Sequence, residues 1–361
     1  MSRFRVFQIL VGLFAVVSTA LAANPELSTE GLEQRVDFWK KVYTQYGQDD
    51  IILHDAFHVN LIYGVANDDT LKARKAAVQK TLREIKANLD DRDGLSPEAK
   101  EIVDAITAVG ISLNSSSLTE LIENVHTQRG IKERFRDGIV RSGRHVDEFK
   151  NILKKEGVPE ELALLPLVES SFENVRSKAG AVGMWQFTRS TGKLYLRITS
   201  KVDERLDPIK ATTAAAKLLR DNYKALDSWP LAITAYNHGR AGMLRAQKAH
   251  GSDLTSIIDD YKGPVFGYAS MNFYSEFLAA VEVYNDYPAY FGNLTLESPK
   301  SPVKVATISA PKNTNTAKYK VQRGDTLWDL AQRFGTSIRS LMELNNLNES
   351  AIYAGQLLLV K

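Results

Sequence analysis

The chain has 361 residues and not one of them is cysteine. That absence excludes a disulfide scaffold, a thiolate zinc site, a cysteine nucleophile and a thioether-lipidated N-terminus. Charge of either sign is also in short supply. Lys and Arg number 46 against 43 Asp and Glu, a net of +3, so the sequence gives no support for nucleic-acid binding. A mildly basic chain can still favour an anionic polymer. Histidine is scarce, at six, and only "HDAFH" (His54 to His58) spaces two imidazoles four apart, as zinc ligands on a helix face are spaced. The zinc-protease pattern requires Glu where Asp55 stands, and no third ligand is evident, so the pair reads as structural and no metal or other cofactor is expected.

What is present describes folded material, 44% apolar and long enough for two or three domains. Residues 1–22 read as an export signal, with Arg3 and Arg5, an apolar run from Ile9 to Val17, and Ala20-Leu21-Ala22 as the cleavage site. The alternative is an uncleaved anchor over Phe4 to Ala23, if Gln8 is tolerated in a bilayer. Either way the mature chain is expected outside the cytoplasm, in the periplasm or cell envelope.

Residues 23–125 read as a helical region. Leu71, Val78, Leu82, Ile85 and Leu89 recur at the spacings of one buried helix face. The basic stretch from Arg129 to Lys155 is interleaved with Glu133, Asp137, Asp147 and Glu148, and reads as a solvated face laced with ion pairs rather than an anion site. Gly157 ends one helix and Pro159 opens another, which Pro166 must break or bend before Glu169. Asp207-Pro208 starts an alanine-rich helix, and Trp229-Pro230 starts a second that Gly239 ends. Residues 293–318, rich in Pro, Ser, Thr and Lys, read as a linker.

The segment from Tyr319 to Lys361 has its own punctuation. "YKVQ" alternates as a strand, Thr326 and Asp329 form a capping box, Gly335 ends a helix, "SIRSLMELNNL" makes another, and "AGQLLLV" returns as a strand. This βααβ unit resembles a LysM module nearly end to end. The resemblance implies binding of N-acetylglucosamine-containing glycans, and so small a unit is better suited to tethering than to catalysis.

Three stretches in the middle of the chain carry chemistry-bearing residues: "LLPLVESSF" with Glu169, "GAVGMWQF" with Gly183, Met184 and Gln186, and "AYNHG" with Tyr236 and Asn237. Singly, each has an ordinary structural reading: an ion-pair partner, a core aromatic, a packed helix end. Together and in order, from about Arg129 to Tyr290, they resemble the lytic transglycosylase family with the goose-lysozyme-like fold, nearest its membrane-bound D type. "GVPEELALLPLVESSF", "SKAGAVGMWQF", "DERLDP", "TTAAAKLL" and "LAITAYNHG" carry the resemblance. It implies a mainly α fold: a lysozyme-like helical domain over 126–292, a helical extension before it, and the LysM module after it. It further implies Glu169 as the catalytic acid and base, and a groove lined by Ser170, Gly183, Met184, Gln186, Tyr236 and Asn237. The expected partner is the glycan strand of peptidoglycan, with peripheral association to the outer membrane or cell wall.

The residues around Glu169 argue the same way on their own. Protonating a glycosidic oxygen at neutral pH needs a carboxyl whose pKa is lifted well above its solution value. Apolar neighbours do that by desolvation, as in lysozyme, whose acid is raised to roughly 6. Leu164, Leu165, Leu167, Val168 and Phe172 supply such neighbours, and Ser170 and the Tyr236 hydroxyl are placed to hold the carboxyl. A second carboxylate, which hydrolytic glycosidases use, is not evident. Asp207 is explained by capping, Asp203 and Glu204 by Arg205, and Glu173 has no sign of entering a groove. The family meets this by using the C6 hydroxyl of the muramic acid residue as nucleophile. Two departures from its pattern, Thr188-Arg189-Ser190 after "WQF" and Phe273 where tyrosine is common, point to altered subsites. A lysozyme-like or chitinase-like hydrolase and an inactive glycan-binding scaffold are the competing readings.

Overall fold

The computed structural model describes residues 27–299, 317–322, 325–345, 347, 352–353 and 355–360. The export signal and most of the linker therefore lie outside the described residues. The chain divides into two compact units.

The larger unit begins with helix α1 (Glu33–Thr44), followed by strands β1 (Ile51–Asp55) and β2 (Ile62–Ala66). Helices α2 (Leu71–Ala87), α3 (Pro97–Ala108) and α4 (Ser115–Glu123) come next, then strand β3 (Val125–Arg129). Helix α2 buries Val78, Leu82 and Ile85, the stripe its period requires. The strands form an antiparallel sheet in the order β2-β1-β3, which the sequence reading did not anticipate in a region taken as helical. β1 is central and buried throughout, so it reads as an apolar run with no alternation to mark it as a strand. The sheet also corrects the placement of "HDAFH". His54 pairs with His126 of β3 instead of lying on a helix, and the two imidazoles of the motif do not share a face. His54 is fully buried, its Nδ1 2.9 Å from the Asp55 carbonyl and its Nε2 3.2 Å from the Tyr268 hydroxyl. Among the described residues no cluster fit to hold a metal ion occurs.

Then follow α5 (Lys132–Ser142), α6 (Val146–Lys155), a 3-10 turn over Glu160–Leu164, and α7 (Leu165–Ser170). The break expected at Pro166 falls just before it: the tighter turn ends at Leu164, and Pro166 sits in the first turn of α7, where its missing N–H is harmless. A short α8 (Arg189–Gly192) precedes α9 (Pro208–Leu226) and α10 (Trp229–His238). Asp207 caps α9 through the amides of Ile209 and Lys210, and Ser228 caps α10. Helices α11 (Arg240–His250), α12 (Leu254–Asp260), α13 (Tyr268–Asn285) and α14 (Tyr287–Phe291) complete the unit. α13 is its axis, packed by α1, α7 and α10. α1 is bound to it by polar contacts as well. Lys40 reaches Glu282 at 2.9 Å, Arg35 donates to Asn272 at 3.1 Å, and the Tyr43 hydroxyl donates to the Glu276 carbonyl at 3.3 Å. No described helix is long and apolar enough to cross a membrane.

The C-terminal unit pairs β4 (Ala317–Lys320) antiparallel with β5 (Leu357–Val360) and places α15 (Leu327–Arg333) and α16 (Ile338–Leu344) between them in sequence. Thr326 and Asp329 form the expected capping box. Val321, Leu327, Leu330, Leu341, Leu358 and Val360 make its small core. The fold as a whole is mainly α, a lysozyme-like helical domain with an N-terminal extension and a βααβ unit.

Candidate active site

Glu169 lies in the last turn of the six-residue helix α7. Leu165 and Leu167 are wholly buried and anchor that helix in the core, while Val168 and Glu169 are half-buried. The helix is stopped by two consecutive left-handed residues, Ser171 (φ 53°) and Phe172 (φ 58°). Its C-terminal carbonyls are gripped by cations from α5: Arg141 Nε donates to the Ser171 carbonyl at 2.9 Å and Arg134 to that of Ser170 at 3.4 Å. Cations at a helix C-terminus are favoured by the aligned peptide dipoles. The two arginines also pair with Glu173, at 3.2 Å from Arg141 and 3.9 Å from Arg134. The basic stretch read as a solvated face is thus partly a clamp on α7. At Gly138 of α5 the close approach leaves no room for a side chain, since a Cβ there would stand 3.0 Å from that of Ser171.

Burial alone raises the Glu169 carboxyl from its ordinary 4.5 to about 8. Desolvation penalises the ionised form, and no cation offsets the penalty. The side chain is therefore protonated at neutral pH, as an acid that donates to an ether oxygen must be.

The two hydroxyls expected to hold this carboxyl do something else. Ser170 Oγ donates to the Met184 carbonyl at 2.8 Å, and the Tyr236 hydroxyl donates to the Trp185 carbonyl at 2.7 Å. Consecutive carbonyls of the loop "GMWQF" are thereby tied to α7 and α10. Gly183 has φ +84°, and a Cβ there would lie 2.0 Å from the Arg205 carbonyl oxygen, so only glycine fits. Gln186 is also left-handed, at φ 46°, and its amide nitrogen turns inward to the carbonyls of Gly183 (2.7 Å) and Val175 (3.2 Å). Met184 is 8% exposed, and Trp185 is fully buried with its indole N–H on Thr212 at 2.8 Å. Asn237 is exposed at the end of α10, where Ser270 of α13 donates to its Oδ1 at 2.9 Å. Phe273 stacks on Tyr236 with rings 4° from parallel and centroids 6.5 Å apart, so this departure from tyrosine fills an apolar contact. Thr188 caps α8, which accounts for one residue of the other departure. Replacing Tyr236 with Phe removes one hydroxyl and strands the Trp185 carbonyl. A stability loss of about 1 kcal/mol is expected, with slower glycan cleavage. A melting curve matching the wild type would show that the loop does not depend on this bond.

The carboxylates weighed as partners for Glu169 are otherwise engaged. Glu173 holds the two arginines, Glu204 pairs with Lys210 at 2.9 Å, Asp207 caps α9, and Asp203 pairs through its backbone with Ile198. Sequence reasoning missed Glu276 of α13. It is a half-buried carboxyl raised to about 8, first by burial and then by the negative charge of Glu169. The available signal was an isolated acid in the apolar run "MNFYSEFLAAVEVY", three residues after Phe273.

This arrangement, one proton-bearing carboxyl closing a short helix against a clamped glycine loop in a helical lysozyme-like unit, defines a glycan-groove architecture. The comparisons agree with it. Residues 148–258 match the transglycosylase SLT domain family, and residues 319–361 match the LysM domain family. The chain is 27% identical over 278 residues to membrane-bound lytic murein transglycosylase D of Escherichia coli K12, covering 58% of this chain and 61% of that protein. It thus spans about three-fifths of that relative's length. The C-terminal part is similar to shorter stretches of other proteins. It is 43% identical over 65 residues to a probable endopeptidase p60 of Listeria grayi, covering 17% of this chain and 13% of that protein. It is 47% identical over 55 residues to the cell wall-binding protein YocH of Bacillus subtilis, covering 15% of this chain and 19% of that protein.

Proposed function

We propose that this protein is a lytic transglycosylase that cleaves the β-1,4 bond between N-acetylmuramic acid and N-acetylglucosamine in peptidoglycan, with Glu169 acting first as acid and then as base. The observation that carries the reading is the Glu169 carboxyl, raised to about 8 by burial, at the end of α7 within the transglycosylase SLT match. Glu169 gives its proton to the leaving O4 as the C1–O4 bond breaks. Its carboxylate then takes the proton of the C6 hydroxyl of the same muramic acid residue as the C1–O6 bond forms. The product end is a 1,6-anhydro sugar and no water is consumed. Gly183, Met184 and Gln186 shape the groove wall through their backbone, Ser170 and Tyr236 hold that wall, and Asn237 meets the glycan from the exposed end of α10.

A hydrolase would need an ionised carboxylate to activate water or attack the sugar. Glu276 is the one further carboxyl coupled to Glu169, and it too favours its proton at neutral pH, which supports the transglycosylase reading. The domain reading is residues 23–125 as a supporting helical region, 126–292 as the catalytic domain, 293–318 as linker and 319–361 as the glycan-binding tether. With residues 1–22 as an export signal, the protein works in the periplasm or cell envelope, with peripheral outer-membrane or cell-wall association. The similarity to YocH, named as cell wall-binding, supports the tether. Mass spectrometry of muropeptides released from purified sacculi tests the reaction. Anhydro ends, lighter than hydrolytic ends by one water, are expected, and reducing ends would overturn the assignment.

A further inference from the structure

Glu276 has no part in the reaction as written, yet α13 directs it to the same place as the residues that do. Ser270, Phe273 and Glu276 are spaced by three and share one face of α13. Ser270 holds Asn237, Phe273 stacks on Tyr236, and α13 packs against α7, which carries Glu169. The backbone at Glu276 is fixed from the other side by the Tyr43 hydroxyl of α1. Among the described residues no cation pairs with the carboxyl of Glu169 or of Glu276.

The remaining titratable groups facing this helix do not supply a charge to the pair. Tyr43 of α1, Tyr236 of α10, and Tyr268, Tyr274 and Tyr284 of α13 itself are phenols pushed further up by burial, hence neutral. Lys40 of α1 is taken by Glu282 of α13. The 3-10 turn brings Glu161 and Glu160, the latter paired with Lys154 at 3.2 Å, and α14 brings Tyr287, whose ring lies 6.3 Å from that of Tyr284.

We propose that Glu276 is a positioning residue for the proton of Glu169: the two carboxyls act as a pair that keeps one shared proton after the first has left. The inference rests on the transglycosylase reading above. Two like charges in a poorly solvated site repel, so the second ionisation is deferred and the pair titrates in two separate steps. Burial raises both groups to about 8, so the proton that remains is distributed over both. The equilibrium breaks one O–H bond and makes another, with no change of oxidation state. Its consequence is that a fraction of molecules keeps Glu169 protonated at pH values where a solitary carboxyl of the same burial would be ionised.

The test compares the full chain with Glu276→Gln by the rate of anhydro-product release from sacculi across alkaline pH. Glutamine cannot hold or release the shared proton. The alkaline limb is therefore expected to move to lower pH by about half a unit or more, while Glu276→Asp stays nearer the wild type. Superposable limbs for two folded proteins that both release anhydro product would overturn the inference. Carbon-13 NMR of wild-type protein labelled at glutamate carboxyls decides it independently of activity and of the folding of any variant. Two mutually dependent titration steps above neutrality support the pair, and a single independent step for Glu169 refutes it. If the wild type releases no anhydro ends, the reaction assignment fails, whereas the carboxyl titration still reports on the pair.

Discussion

Glu169→Gln is expected to reduce glycan cleavage by roughly 10³-fold or more, because it removes the group that donates and then accepts the proton. The same substitution is expected to stabilise the fold at neutral pH. The unfolded chain ionises this carboxyl from about 4.5, while the folded chain retains the proton to about 8. The folded state binds the proton more tightly, so wild-type stability falls as pH rises from 4.5 to 8 and the penalty is complete above that. Glutamine carries no such penalty. Melting temperatures measured at several pH values should show the variant above the wild type at pH 7 to 8, with the gap closing toward pH 4. A variant that keeps its activity, or a gap that widens on acidification, would remove Glu169 from the role given to it.

The second large effect concerns shape. Gly183→Ala is expected to cost about 3 kcal/mol or more, because two penalties coincide. The backbone sits at φ +84°, and the new Cβ would meet the Arg205 carbonyl oxygen at 2.0 Å. A backbone oxygen cannot swing aside as the tip of a long side chain does. Arg205 is itself 2% exposed and donates to the Phe187 carbonyl at 3.1 Å, so a shift there spreads through the loop. Denaturant titration measures the loss, and the surviving folded fraction should cleave more slowly because the wall facing Glu169 has moved. A midpoint within experimental error of the wild type would mean that the loop relaxes freely.

Much of this was legible in the residues. The stripe of α2, the Asp207 cap, the Gly239 stop and the Thr326 capping box are local signals, and each describes one element without reference to another. The Glu169 proton was legible for a related reason, since its neighbours in sequence belong to the buried core. What sequence did not reveal depends on contacts between distant segments. β1 is buried throughout and carries no alternation, so its pairing with a strand some 70 residues later leaves no periodic trace. Arg134 and Arg141 look like any solvated bases until α7 ends beside them. Ser170 and Tyr236 were correctly picked out as site residues, yet a hydroxyl has no direction in a sequence, and both turned out to serve carbonyls instead of the carboxyl. Glu276 lies 107 positions from Glu169, and only the packing of α13 against α7 makes them neighbours.

The two hydroxyl bonds to the loop have an evolutionary corollary. They hold the carbonyls of residues 184 and 185, groups that every amino acid possesses. The grip is blind to which side chain stands at position 184, so exchange of Met184 leaves the anchorage in place while changing the surface offered beside the acid. Trp185 is not free in this way, because its indole is seated in the core on Thr212. Substrate preference can therefore drift at one position without the chemistry being rebuilt, which makes residue 184 the natural starting point for directed evolution of glycan selectivity.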